Sequence, residues 1–197
     1  MMREFSGQEI RSLSASFRSA VPFRHVLVRD FLRSQDSVRT ALENMEFSRK
    51  DTDLFSFSQT RNLLYKTPKA LQPLTGFLSS ATFSQFMASI SGIRVRPGAI
   101  DLSGALYEST DYLLCHDDDL EYRKIAYIIY LSESFSPKDG GALVLYTGRN
   151  SHPHQKAASY PPLKNSLMMF EVSKKSWHEI EEVIAKKKRY TVGGWLH

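Results

Sequence analysis

From residue 100 onward the chain is a succession of short apolar or alternating stretches, at 100–106, 111–115, 124–131, 142–147, 166–172, 176–183 and 189–195. Turn signals such as Lys138-Asp139-Gly140-Gly141 separate them. Stretches this short and this closely spaced read as strands, and many short strands in succession bury their apolar faces only by stacking or curling into a sandwich or jelly roll. The first half has a different period. Ser6 with Glu9 makes a capping box, and Ile10, Leu13 and Phe17 follow at helical spacing. Ser34 is expected to cap a helix running to about Glu46, with Val38, Leu42 and Met45 on one face. Thr67-Pro68 is expected to open another, carrying Leu71, Leu74 and Leu78. A further helix holds Phe83, Phe86, Met87 and Ile90 and ends at Gly92, while residues 54–58 alternate as a strand. The helices are expected to brace one face of the sheet. The segment 148–165, with His152, Pro153, His154, Pro161 and Pro162, reads as a long irregular loop at a substrate entrance. His152 and His154 have no third ligand nearby, so a surface loop is the expectation for them.

A chain of 197 residues with 42% hydrophobic and 24% charged residues buries a substantial core, which argues against disorder. No run approaches the roughly 18 apolar residues of a membrane-spanning helix. The sole cysteine, Cys115, excludes an internal disulfide and suits a reducing compartment, so the expected location is cytoplasmic and/or nuclear. The first twenty residues contain Arg and Ser, but their acidic residues argue for a docking helix rather than a transit peptide. A net charge of +5 favours an acidic or nucleic-acid-rich partner. Its basic residues, scattered over 18–39, 61–69 and 94–96, read as ordinary surface, as do Lys186, Lys187 and Lys188 at a hairpin tip.

The chemistry-bearing residues are His116, Asp118, His178 and Arg189, in the segments CHDDD, SWHEI and KKRYT. His-x-Asp followed at a distance by another His is the sequence form of the two-histidine, one-carboxylate triad that leaves positions open on non-heme Fe(II). On an extended backbone residues two apart point to the same side, so His116 and Asp118 are expected to converge with Asp117 turned outward. Asp117 and Asp119 are rivals for the carboxylate role, but only Asp118 has the two-residue spacing. Alone, HDDDLE would read as a solvated acidic turn and His178 as a half-buried histidine; their conjunction with Arg189 shifts the reading. In Arg-Tyr-Thr-Val, Arg189, Thr191 and Gly193 share one strand face, and a guanidinium beside a hydroxyl suits a hold on a carboxylate.

The segments LLCHDDDLEYRKIAYIIYL (113–131), GGALVLY (140–146), LMMFEVSKKSWHEIEEV (167–183) and RYTVGGWLH (189–197) resemble the 2-oxoglutarate and Fe(II)-dependent oxygenases. The likeness is to the prolyl hydroxylases that modify a small-subunit ribosomal protein near the decoding centre, and it extends more weakly through PFRHVLVRDFL and MEFSRKDTDLFSFSQT. The resemblance implies an α+β fold: a double-stranded β-helix (jelly roll, cupin-like) core in the second half, braced by N-terminal helices. It implies a single catalytic domain over 1–197, with 1–95 mainly helical support with early strands and 96–197 the β-helix core. Fe(II) bound by His116, Asp118 and His178 is implied, with 2-oxoglutarate as cosubstrate and O2 as oxidant, ascorbate being a supporting reductant. Arg189 is implied to bind the distal carboxylate of 2-oxoglutarate, aided by Tyr130 and Thr191, with Tyr107 lining the cosubstrate pocket. The implied reaction decarboxylates 2-oxoglutarate to succinate and carbon dioxide and places hydroxyl on a substrate C–H. The implied partner is a protein, a ribosomal protein above all, with nucleic acid contacted only indirectly and no membrane, by a monomer or weak oligomer. Those ribosomal hydroxylases carry a second, catalytically silent β-helix domain, so this chain is expected to be a catalytic fragment or a single-domain relative.

Other functions weigh less. Nucleic-acid demethylases of the superfamily resemble a pattern with a second Arg six residues after the first, where this chain has Trp195. A hydroxylase of another protein, of free proline or of another small molecule shares the metal chemistry. A non-catalytic basic module binding RNA or the ribosome would not need the intact set of His116, Asp118, His178 and Arg189.

Overall fold

The computed structural model describes residues 2–65, 67–120 and 122–197. Helix α1 (Gly7–Ser19) is followed by strand β1 (His25–Val28), helix α2 (Asp36–Glu43), the hairpin of β2 (Ser48–Thr52) and β3 (Phe55–Gln59), and helices α3 (Gln72–Leu78) and α4 (Ala81–Ser91). Strands β4 (Ser103–Tyr107), β5 (Tyr112–His116), β6 (Ile125–Tyr130), β7 (Leu143–Arg149), β8 (His152–Tyr160), β9 (Ser166–Glu171), β10 (His178–Ile180) and β11 (Arg189–Leu196) complete the chain. The strands form one curled antiparallel sheet in the order β1-β9-β6-β11-β4-β3-β5-β10-β7-β8, with β2 on β3. It is the jelly-roll half-barrel expected for an α+β chain.

Period-two alternation divides the residues of this sheet between two cores. On β6, Ile125, Tyr127 and Ile129 face the helices, while Ala126 and Tyr130 face the inside of the curl. Likewise Leu167 and Met169 of β9 pack outward, Met168 and Phe170 inward. The outer core takes Phe17 from α1, Val38 and Leu42 from α2, Leu74 and Leu78 from α3, and Phe83, Met87 and Ile90 from α4. The helices therefore cover the convex face, and the concave face is left for a site.

Local chemistry accounts for most element ends. At α1 the Ser6 hydroxyl accepts from the Glu9 amide while the Glu9 carboxylate accepts from the Ser6 amide, completing the expected box. Gly92 ends α4 in the left-handed conformation. Gly140 also needs its positive φ of 71°, and a Cβ there would stand 2.0 Å from the Glu182 carbonyl oxygen. Helix α2 differs from expectation: Ser34 does not cap it, and it begins after Gln35 and stops at Glu43, where the Asn44 side chain donates to the Thr40 carbonyl. After Thr67-Pro68 the chain makes only a 3-10 turn, Lys69–Leu71, before α3 starts with its own proline in the first turn.

The segment 148–165 is not an irregular loop. Asn150 and Ser151, both at positive φ, form a tight hairpin turn, and β8 pairs with β7 along its length. Most of β8 is exposed at the rim, so its sequence shows no apolar alternation, and an edge strand tolerates Pro153. Strand β2 was likewise hidden from sequence reading, because all five of its residues are exposed.

Strands β1 and β8 are the two ends of the sheet, and side chains rather than a backbone ladder join them. His25 Nδ1 lies 2.8 Å from the Phe23 carbonyl, which makes it the donor, and Tyr160 then donates its hydroxyl to His25 Nε2 at 2.6 Å. Burial holds His25 below the ordinary imidazole value of 6.5, partly opposed by the Phe23 carbonyl. The neutral ring is thus the folded form. The contribution is complete above the unfolded value and is lost as pH falls below about 6.5, where the unfolded chain takes up the proton first. Thermal melting between about pH 7 and 5 is expected to fall more steeply for the wild type than for His25→Phe. Parallel slopes would rule out this linkage.

Candidate metal centre

Strand pairing brings the histidines together. His178 of β10 stands directly opposite His116 of β5, so both rings project from the concave face with centroids 4.2 Å apart. Asp118 arrives by another route. Strand β5 ends at His116, and Asp118 adopts φ 60°, a left-handed turn that aspartate tolerates better than most residues. Strand alternation, the expected reason for convergence, is therefore replaced by a turn beyond the strand end. The Ser176 hydroxyl donates to the Asp117 carbonyl at 2.7 Å and ties this turn to the His178 segment.

The Asp118 carboxylate lies between the imidazoles, with Oδ1 3.4 Å from His116 Nε2 and Oδ2 3.4 Å from His178 Nε2. One ligand atom from each of the three residues falls within 4.8 Å of the others, and this is the one such group among the described residues. His116 Nδ1 is 2.8 Å from the Leu114 carbonyl and His178 Nδ1 is 2.7 Å from the Ser176 carbonyl. A carbonyl only accepts, so each Nδ1 carries the proton and each Nε2 presents a lone pair to the centre. Phe170 packs edge-on against His178 at 4.6 Å and shields it from water.

Electrostatics favour a cation here. Burial pushes the Asp118 carboxyl up, but hydrogen bonding and charge from His116 and His178 outweigh it and leave it far below the usual carboxylate range. Burial lowers His116, and the neighbouring Asp118 more than reverses that.

Deeper in the same cavity Arg189 is 1% exposed. Its Nε donates to the Gly141 carbonyl at 3.0 Å, its Cζ lies 5.0 Å from the Tyr107 ring centre and 5.2 Å from that of Tyr130, and its Nη2 has no partner. The buried Tyr130 hydroxyl is also without a partner. Burial pushes both phenols up against the pull of Arg189, so they stay protonated donors at neutral pH. Thr191 is 4% exposed and lines the cavity with Tyr107, and the Tyr130 ring packs against Arg189. A buried guanidinium nitrogen and a buried hydroxyl, both orphaned, make a receptor for an anion.

The remaining candidates lie elsewhere. His152 and His154 are exposed on β8, and Lys187 and Lys188 pair with Asp139 and Glu108 at the surface. Cys115 does not line the cavity, and burial, with Glu179 and Asp117 nearby, pushes its thiol up to about 11. Sequence reading missed two groups at the centre. Trp195 Nε1 donates to Asp118 Oδ2 at 2.9 Å, and Arg123 stacks on the Trp195 ring. Trp195 continues the face of Arg189, Thr191 and Gly193 at period two, a signal that was available; Arg123, in a turn, has none.

Residues 102–197 match the family model described as the 2OG-Fe(II) oxygenase superfamily. The chain is 37% identical over 183 residues to a Xenopus laevis protein named prolyl 3-hydroxylase OGFOD1, covering 90% of this chain and 35% of that protein. It is 38% identical over 164 residues to prolyl 3,4-dihydroxylase OGFOD1 of Ostreococcus tauri, covering 75% and 32%. The chain thus spans about a third of the length of the curated relatives it matches. Its fold is that of a prolyl hydroxylase from Trichoplax adhaerens solved with a hypoxia inducible factor peptide fragment, at TM-score 0.73 and 16% identity, covering 96% of this chain and 90% of the other.

Proposed function

We propose that this chain, whose residues 102–197 belong to the 2OG-Fe(II) oxygenase superfamily, is a prolyl hydroxylase acting on a protein. His116, Asp118 and His178 would hold Fe(II), and Arg189 would hold the distal carboxylate of 2-oxoglutarate. The observation that carries this reading is the meeting, in one cavity, of a triad with two lone-pair imidazoles and a buried guanidinium with an unused nitrogen. The residues fit both groups: the triad offers neutral and anionic donors, and the orphaned Arg189 Nη2 and Tyr130 hydroxyl match an incoming carboxylate.

When bound, the iron would couple oxidative decarboxylation of 2-oxoglutarate to transfer of one oxygen atom from O2 to a substrate C–H bond. The protein's own part is positional. Leu114 and Ser176 carbonyls fix the imidazole tautomers. Arg189 orients the cosubstrate, with Thr191 and Tyr130 as donors beside it. Phe170 and the stacked Phe57–Tyr107 pair, with rings 4.9 Å apart, give the cavity an apolar lining beside the triad.

A prolyl substrate is supported by the named activities of the relatives, and a small-subunit ribosomal protein by the likeness running through 113–131. Such a substrate and a lone cysteine suit the cytoplasm or nucleus, and no described helix is long and apolar enough to cross a membrane. Residues 1–197 would act as one catalytic unit, since helices and sheet share a core.

Incubation with Fe(II), 2-oxoglutarate and a proline-containing peptide of the decoding-centre protein is expected to release succinate and add one oxygen to proline, read by mass spectrometry. Succinate without peptide oxidation would reject that substrate and keep the oxygenase. No succinate with any proline-containing protein would reject the enzyme.

A further inference from the structure

A carboxylate ligand is a good ligand only if its rotation is fixed, and the backbone of Asp118 does not supply this. The residue lies two positions beyond the end of β5, outside any ladder, at φ 60°. With their Nε2 lone pairs turned to the centre at 3.4 Å from its oxygens, the two histidines offer it no donor. Two other groups reach it, Trp195 from the sheet and Arg123 from the turn that leads into β6. Trp195, on β11 opposite Ala126 of β6, donates its indole N–H to Asp118 Oδ2 at 2.9 Å. The Arg123 guanidinium lies over that indole, with Cζ 3.4 Å from the ring centre and Nη1 3.6 Å from Asp118 Oδ1.

We propose that Trp195 is a positioning residue for the metal, its N–H fixing Asp118 in the rotation that presents one oxygen to the cation, and that Arg123 clamps the indole so that the N–H keeps its aim. This inference rests on the iron reading above. The chemistry is specific to tryptophan. An indole has one donor and no acceptor, so it occupies a lone pair of Oδ2 without competing for the metal, and its flat face offers a cation–π seat for arginine. A phenylalanine keeps the seat and loses the donor. The guanidinium, 17% exposed, also closes the indole off from solvent, which would otherwise compete for the N–H. Groups that hydrogen-bond to a metal's ligands are worth about 10–100-fold in metal affinity.

The test uses Co(II), whose visible absorption reports both binding and coordination geometry. Trp195→Phe is expected to bind Co(II) about 10–100-fold more weakly than wild type, with an altered visible spectrum, at an unchanged melting temperature. Under turnover the iron concentration for half-activity is expected to rise by a similar factor, with a smaller change in kcat at saturating iron. Should the phenyl variant fail to fold, benzothienylalanine at position 195 keeps the shape of tryptophan and replaces N–H by sulfur, and the same loss is expected. In an Arg123→Met background Trp195→Phe is expected to cost less, because an unclamped indole is already poorly aimed. Wild-type Co(II) affinity and spectrum in the position 195 variants overturn the role of Trp195, and equal costs in both backgrounds overturn the clamp. A wild-type protein that binds no Co(II), or a His116→Ala protein that binds it unchanged, overturns the iron reading as well.

Discussion

Asp118→Asn is expected to reduce 2-oxoglutarate turnover by more than about 100-fold, measured as succinate release at saturating Fe(II), with the circular dichroism of the wild type retained. The substitution keeps the shape of the side chain and removes the single negative charge of the triad. Carboxylate oxygens stand 3.4 Å from both imidazole Nε2 atoms, so the amide must turn its NH2 toward one of them. That Nε2 is a lone pair, because its ring partner Nδ1 donates to a backbone carbonyl. The amide hydrogen bonds to the atom that should face the metal and closes the site. Turnover above about a tenth of wild type would exclude Asp118 as a ligand and bring Asp117 or Asp119 back into consideration.

Arg189→Met is expected to separate stability from function. In the wild type the guanidinium is 1% exposed, rests on two aromatic rings and one carbonyl, and makes no ion pair with a described carboxylate. A buried charge without a counter-ion destabilises the protein that holds it, and a thioether of similar length fills the same space without that cost. The variant alone is therefore expected to melt at the wild-type temperature or a few degrees above it. It is also expected to lose the stabilisation that 2-oxoglutarate confers on the wild type, and its KM for 2-oxoglutarate is expected to rise by about 100-fold or more, as loss of a charge-assisted pair worth about 3 kcal/mol implies. Thermal melts with and without 2-oxoglutarate check both halves. A variant stabilised by 2-oxoglutarate as strongly as the wild type would remove Arg189 from the cosubstrate site. Arg189→Lys is not a substitute control, since an ammonium lacks the fork that bonds Gly141 and a carboxylate at once.

How legible each element was depended on how much of it is buried. Strands β6 and β9 bury one face against the helices and the other inside the curl, so they show in the sequence as continuous apolar runs, while β11 alternates between core residues and the site residues Arg189 and Thr191. Helices α1 and α4 could be located from their caps, Ser6 with Glu9 and Gly92. Strands β2 and β8 could not, because a solvated edge held by backbone hydrogen bonds imposes almost no constraint on side chains. The end of α2 was misplaced for a related reason: Met45 packs against the core from outside the helix, so apolar spacing outlasted the helical backbone.

The kinds of group at the centre were visible in the chain from the start: two histidines, an acidic run and an arginine heading a strand. Their chemistry belongs to side chains, and side chains are written in sequence. Which atoms face one another was not written there, because it follows from long-range pairing. The β5–β10 register sets His116 against His178, a left-handed turn past the strand end delivers Asp118, and β11 carries Trp195 back to Asp118. The same folding buries Arg189 with one nitrogen unused, a fact of burial and missing partners that no local pattern can contain.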